Sequence, residues 1–266
     1  SEGQRWMEQA LTRAADVSPA CRAKCLEGAG VLARSQGEYK RAAALIEECI
    51  ALRREGGDLD GLASALKNLG IVAADRGDID AARVLYEESL DLRKQTGDGR
   101  GIAEAQNNLG VVAGVKGDWV TAASYYEEAL AYFRDRGDRH GMGRVLLNLG
   151  EARFEQGDFE AAGELAKESI RLCREIGSRW DLCDLLEEMG SIVNGKGRAE
   201  DGARLYGAAE ALRELLGAPL PTSEVDLYNR RLDQIRDALD ARAFEAAWAE
   251  GLDMDVDDAV DLALRS

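Results

Sequence analysis

The stretch Arg100–Gly137, RGIAEAQNNLGVVAGVKGDWVTAASYYEEALAYFRDRG, decides the fold. Ile102, Ala103, Ala105, Leu109, Gly110 and Val112 recur at helical spacing as far as Gly117. Beyond it Trp119, Ala122, Ala123, Tyr126, Ala129, Leu130 and Phe133 do the same as far as Gly137. Two amphipathic helices of about 17 residues joined by so short a turn must run antiparallel. Gly117 is placed to end the first helix in the left-handed conformation, and Asp118 to cap the second.

Outward from this stretch the same columns return every 40 residues: Gly30, Gly70, Gly110, Gly150 and Gly190 in mid-helix, Gly37 to Gly197 at the hairpin turns, Gly57 to Gly217 between hairpins. A fixed period of this length marks a repeat architecture whose stacked units share one core. Each mid-helix glycine costs about 1 kcal/mol relative to alanine, so a close neighbour is expected over it. Ala42, Ala82, Ala122, Ala162 and Gly202 are the expected facing residues, small against small.

The pattern Leu66-x-Asn68-Leu69-Gly70, with Gly77-Asp78, Ala82, Tyr86 and Leu90, resembles the tetratricopeptide repeat. It recurs around Asn108 and, with Ala162, around Asn148. The common form has 34 residues, so each helix here is longer by about three. The resemblance implies an all-α, right-handed superhelical solenoid of about five repeats over residues 18–217. Residues 1–17, with Trp6, Met7, Ala10, Leu11 and Ala14, read as an N-terminal capping helix left from a truncated repeat, and residues 218–266 as a C-terminal helical cap. In that cap Ser223 starts one helix, and two shorter ones follow over Ala241–Gly251 and Val256–Leu264.

The tail narrows the resemblance. The run Ala203-Arg204-Leu205-Tyr206-Gly207-Ala208-Ala209-Glu210-Ala211-Leu212-Arg213, and Phe244-Glu245-Ala246-Ala247-Trp248-Ala249-Glu250-Gly251, are similar to the C-terminal end of bacterial STAND-class regulators, often of LuxR type. That resemblance implies a sensor and interaction arm attached to a nucleotide-hydrolysing switch domain in a longer parent chain. Ser1, followed at once by an amphipathic segment, reads as the start of such a fragment.

Composition sets bounds. With 34 basic against 50 acidic side chains the net charge is -16, a surface that repels phosphate and disfavours direct nucleic-acid binding. No apolar stretch approaches the roughly 18 residues of a membrane span. Five cysteines in no framework spacing point to a reducing, cytoplasmic setting.

No catalytic, metal or cofactor constellation stands out. There is no G-x-x-x-x-G-K-S/T phosphate loop, and the single histidine, His140, falls at a turn on the rim, as does Trp180. Cys25 and Cys49 occupy columns held elsewhere by Ala65, Ala105, Ser89 and Ala129, which read as small and buried rather than as metal ligands. The acid pairs Glu47-Glu48, Glu87-Glu88 and Glu127-Glu128 diverge by about 100° and read as a solvated face.

The asparagine column is the candidate binding site. In tetratricopeptide proteins the equivalents of Asn68, Asn108 and Asn148 face the concave groove, where an amide can meet a peptide group as donor and acceptor. A hydrogen bond between neighbouring repeats is the alternative. Helical spacing adds Lys67, Asn107, Val111, Arg144, Leu147, Glu151 and Phe154 to this surface, with Glu187 and Glu188 at an acidic end beside Asp184. The expected ligand is a protein, peptide or small effector with apolar anchors and a basic end. A free-standing adaptor bridging partner proteins is the alternative to a sensor arm.

Overall fold

A computed structural model describes residues 18–177, 179–217, 220 and 225–266, and of Ile176, Arg179 and Trp180 only the backbone. The expectations for the helix over 1–17, the Trp180 side chain, and the start at Ser223 lie outside the described residues. Those residues form thirteen helices and no strand. The hairpins are α1 (Pro19–Ser35) with α2 (Tyr39–Gly56), α3 (Leu59–Asp75) with α4 (Ile79–Thr96), α5 (Gly99–Val115) with α6 (Trp119–Asp135), α7 (Arg139–Glu155) with α8 (Phe159–Ile176), and α9 (Arg179–Gly195) with α10 (Ala199–Leu216). Three helices follow: α11 (Val225–Asp237), α12 (Ala241–Leu252) and α13 (Val256–Arg265).

The punctuation is as the sequence predicts. Gly37, Gly57, Gly77 and their counterparts through Gly217 have φ between 61° and 81°, and no other residue type adopts positive φ among the described residues. Each following aspartate then caps the next helix: the Asp78 carboxylate accepts from the Ala81 N–H at 3.1 Å and the Asp138 carboxylate from the Gly141 N–H at 3.0 Å. Such a cap is worth about 1 kcal/mol.

The chain divides into two compact units, Ser1–Tyr132 and Phe133–Ser266, within the last turn of α6. In the N-terminal unit one core gathers Leu26, Ile46, Cys49, Leu62 and Leu66, and a second gathers Tyr86, Leu90, Leu109 and Val112. Here one expectation needs correction. Over Gly30, Gly70 and Gly110 the nearest group is not the buried alanine but the side chain four residues further along the second helix, whereas Gly202 does face Gly190, whose carbonyl would lie 2.8 Å from a Cβ on it. A methyl group on Gly70 would lie 2.5 Å from the Tyr86 ring, one on Gly110 2.5 Å from the Tyr126 ring, and one on Gly30 2.5 Å from Ile46. The glycine is a notch for a ring or a branched chain, which holds the paired helices close.

The C-terminal unit has a core of Ile170, Leu185, Leu186, Met189 and Ile192, to which α13 adds Ala259, Val260 and Ala263. Leu232 and Ile235 of α11 pack with Tyr206 and Ala247. Helices α10 and α12 cross backbone to backbone: a Cβ on Gly207 would meet the Trp248 carbonyl at 2.5 Å, and one on Gly251 the Arg204 carbonyl at 2.1 Å. No helix among the described residues is long and apolar enough to cross a membrane.

Candidate functional site

In the C-terminal unit the tyrosine column breaks. Tyr86, Tyr126 and Tyr206 are matched in the fourth repeat by Ala166, which is buried. The notch over Gly150 is therefore filled from the next repeat: the group nearest to a Cβ on Gly150 would be Glu188 Oε1, at 2.5 Å, whereas Gly190 keeps its tyrosine, Tyr206, at 2.7 Å. Glu188 thus turns inward, towards α7.

Around it lies a cavity of about 320 Å³, to which α7 contributes Leu147, Asn148 and Glu151, and α9 contributes Asp184, Glu187 and Glu188. Tyr206 adds to the wall, and Leu227, Tyr228 and Arg231 of α11 close it, with Leu220 beside them. Arg231 holds this closure. Its guanidinium lies 3.3 Å from Glu151, 3.6 Å from Glu155 and 5.0 Å from the centre of the Phe154 ring. Tyr228 packs on Tyr206 with ring centres 5.4 Å apart, and Tyr206 Oη shares a 2.8 Å hydrogen bond with Ser191 Oγ.

The two expected acids at the end of the groove differ in state. Glu187 is largely buried, 12% exposed, and accepts from Arg213 Nε at 2.8 Å, while Asp184 accepts from Arg213 Nη2 at 2.6 Å. It is one half of a clamp between α9 and α10, and burial holds its carboxyl above the usual range even with Arg213 attached. The same clamp closes the first hairpin, where Arg53 donates to Glu27 at 2.7 Å. Glu188 has no such partner. The residue is half-buried at the cavity wall, but its Oε1 is buried and accepts no hydrogen bond. Burial pushes the carboxyl up to about 8, with Arg231 pulling it down and Glu151 and Asp184 adding to the rise.

The remaining expected residues fall apart from this chamber. Arg144 lines a separate cavity of about 380 Å³ with His140, Leu172 and Cys173, and Leu147 borders both cavities. In the N-terminal unit Lys67 pairs with Glu104 at 2.9 Å, and the Asn68 amide donates to Glu27 Oε1 at 2.9 Å. The inter-repeat hydrogen bond weighed against ligand contact is thus present at Asn68. Asn107 is buried, Asn108 half-buried, and Val111 exposed. Cys49 is buried as expected, but Cys25 is only half-buried because it stands in the first described hairpin, with no described helix stacked outside it. Burial pushes the thiols of Cys49, Cys173 and Cys183 to about 11, so they stay protonated at neutral pH.

Sequence reasoning missed Arg231, Tyr228 and the role of Ala166. The signal was the interrupted tyrosine column. Arg231 carried none, because its partner Glu151 is 80 positions away.

Helical hairpins of this length, notched by glycine and turned by Gly-Asp, define a repeat-built interaction scaffold. The chain belongs to the tetratricopeptide repeat family, whose model matches residues 25–95 and 101–175. Among solved structures it is similar to BtubC (BKLC) from P. vanneervenii, with TM-score 0.71 and 20% identity over 82% of this chain and 91% of that one. It is also similar to the apo form of RapI, with TM-score 0.66 and 12% identity over 90% of each chain. A third is a signal transduction ATPase with numerous domains (STAND) from Pyrococcus horikoshii, a protein with a tetratricopeptide repeat sensor. There the TM-score is 0.71 and the identity 13%, over 96% of this chain and 40% of that one. No curated protein sequence matches the chain.

Proposed function

We propose that this chain is a non-catalytic binding module, the cytoplasmic sensor and interaction arm of a bacterial signal-transducing regulator of the STAND class. Its ligand, a protein, peptide or small effector, engages the face carrying Asn108 and Val111 in the N-terminal unit or the face carrying Asn148 and Glu151 in the C-terminal unit. Binding biases contact with a switch domain in a longer parent chain, which requires different affinities for the two states of that switch. The observation that carries the reading is the convergence of Leu147, Asn148, Glu151 and Glu188 in one cavity, from helices that are not consecutive. Apolar walls with a few converging polar groups are the usual make-up of a ligand site. The STAND protein supports the arm, since there a tetratricopeptide repeat sensor forms part of a larger chain.

A second reading, a free-standing adaptor, draws on BtubC, which is matched over nearly all of its length. The reading frame upstream of Ser1 separates the two: a phosphate-loop motif supports the arm, and a start codon within a few residues leaves the adaptor. Selection of a random peptide library on the chain tests binding itself. Enriched peptides should lose about ten-fold in affinity on Asn108→Ala or Asn148→Ala, the loss of one or two hydrogen bonds. Enrichment indifferent to both variants would remove the asparagine face from the proposal.

A further inference from the structure

We propose that the chamber beneath α11 binds an alkylammonium group, the charged end of a small organic amine, with Glu188 as its counter-ion. The inference rests on the reading of this cavity as a ligand site and names the chemistry that the site takes.

The first observation is the charge ledger of the chamber. Arg213 is shared by Glu187 and Asp184, and Arg231 by Glu151 and Glu155. Two cations thus serve four carboxylates, and Glu188 has neither. An anion would enter against this excess, whereas a cation would relieve it.

The second observation is of hydrogen bonding rather than of charge. Glu188 Oε1 is buried without a hydrogen-bond partner, and among the described residues no other residue of the wall has such a buried atom. Leaving such a group unmatched is costly, and an ammonium donor would satisfy it. The cost is tolerated because the carboxyl, held up to about 8, keeps its proton at neutral pH.

The class of cation follows from the walls. No group of three or more His, Cys, Asp or Glu among the described residues is arranged to hold a metal ion, so the carboxylates do not converge on one point. Leu147, Leu227 and the rings of Tyr206 and Tyr228 offer apolar and aromatic surface beside the acid, which suits a carbon stem carrying a charged head. At about 320 Å³ the space stands at the lower end of ligand pockets, and α11 forms one wall of it. A free amine fits that volume better than a folded partner, and a lysine side chain of a short peptide offers the same head and stem.

Binding has a proton signature. Glu188 enters the complex ionised, so an amine that binds at pH 7 displaces a proton from it to buffer. Isothermal titration of the whole chain with 1,5-diaminopentane, in two buffers of different ionisation heat, reads both affinity and proton release. The expected result is saturable binding with release, weakened about ten-fold or more in Glu188→Gln, as for loss of a charge-assisted bond. Glu47→Gln, an exposed acid in the other unit, should change nothing. The peptide acetyl-Ala-Lys-Ala-amide forms a second arm: binding of the diamine with or without the peptide assigns a free amine, and binding of the peptide alone assigns a lysine side chain. Pentan-1-ol is the uncharged control.

Absence of saturable binding by both amines overturns the proposal. So does binding without proton release, or binding equal in Glu188→Gln and wild type, either of which marks adsorption to an acidic surface. A melting temperature for Glu188→Gln no lower than that of wild type shows that loss of binding is not loss of fold. Peptide selection that fails while the diamine binds would overturn the asparagine face and keep the chamber; the reverse would do the opposite.

Discussion

Gly70 and Gly150 hold the same position in their repeats, and each is covered by something different. Over Gly70 lies the ring of Tyr86, from the partner helix of the same hairpin. Over Gly150 the equivalent residue is Ala166, and the space is taken by the carboxylate of Glu188 from the following hairpin. One notch is sealed by a rigid apolar plate and belongs to the core. The other is filled by the mobile end of an acid and borders a cavity. A single missing ring separates a packing position from a candidate binding position, and the helices carrying both remain regular.

The sharpest way to break this contrast is Tyr86→Ala, which gives the second repeat the alanine of the fourth. No inward acid is there to take the place of the ring, so a cavity remains in the core, at a cost of about 3–5 kcal/mol in urea denaturation followed by circular dichroism. Next, Ala166→Tyr restores the missing ring. It competes with Glu188 for the space over Gly150, should destabilise by about 1–3 kcal/mol through overpacking, and should abolish diamine binding. The glycines then test the contrast by one substitution at two sites. Gly70→Ala drives a methyl group into the Tyr86 ring and should cost about 1–3 kcal/mol despite the better helix propensity of alanine. Gly150→Ala meets only the flexible end of Glu188, and its denaturation midpoint should move by less than about 1 kcal/mol in stability.

The last test is a slope. The folded state holds the Glu188 proton up to about pH 8, whereas the unfolded carboxyl releases it near 4.5. Between these values the folded state binds more protons, so this group's contribution to stability falls as pH rises from 4.5 to 8 and is level above. Melting curves across that window should show a shallower fall in Glu188→Gln than in wild type. An equal slope would mean that Glu188 is ionised in the folded state.

Much of this was legible in the sequence. The 40-residue columns gave the hairpins, and the Gly-Asp pairs gave their ends, because left-handed glycine and an aspartate cap act within a few residues of themselves. Leu147, Asn148, Glu151, Glu187 and Glu188 were placed on one surface by helical spacing, and the structure brings all five to one cavity. What spacing could not give was their state. Glu187 looks open on a helical face but is bonded to Arg213, which lies 26 positions away. Glu27 and Arg53 share that separation, so comparing the first and fifth repeats would have exposed the clamp. The closure by α11 has no such internal copy, since its helix stands outside the repeat pattern.

Every turn between hairpins uses the same left-handed glycine, and most pass to an aspartate, so the joints are of one make. Such a chain can lengthen or shorten by whole hairpins, each cut and rejoined at a standard joint. The fourth hairpin is the exception. Its notch is filled by a residue that the fifth supplies, so a copy of the fourth placed before the second, third or fourth repeat would meet an asparagine (Asn68, Asn108 or Asn148) where it now meets Glu188. Only beside the fifth hairpin does that notch receive a carboxylate.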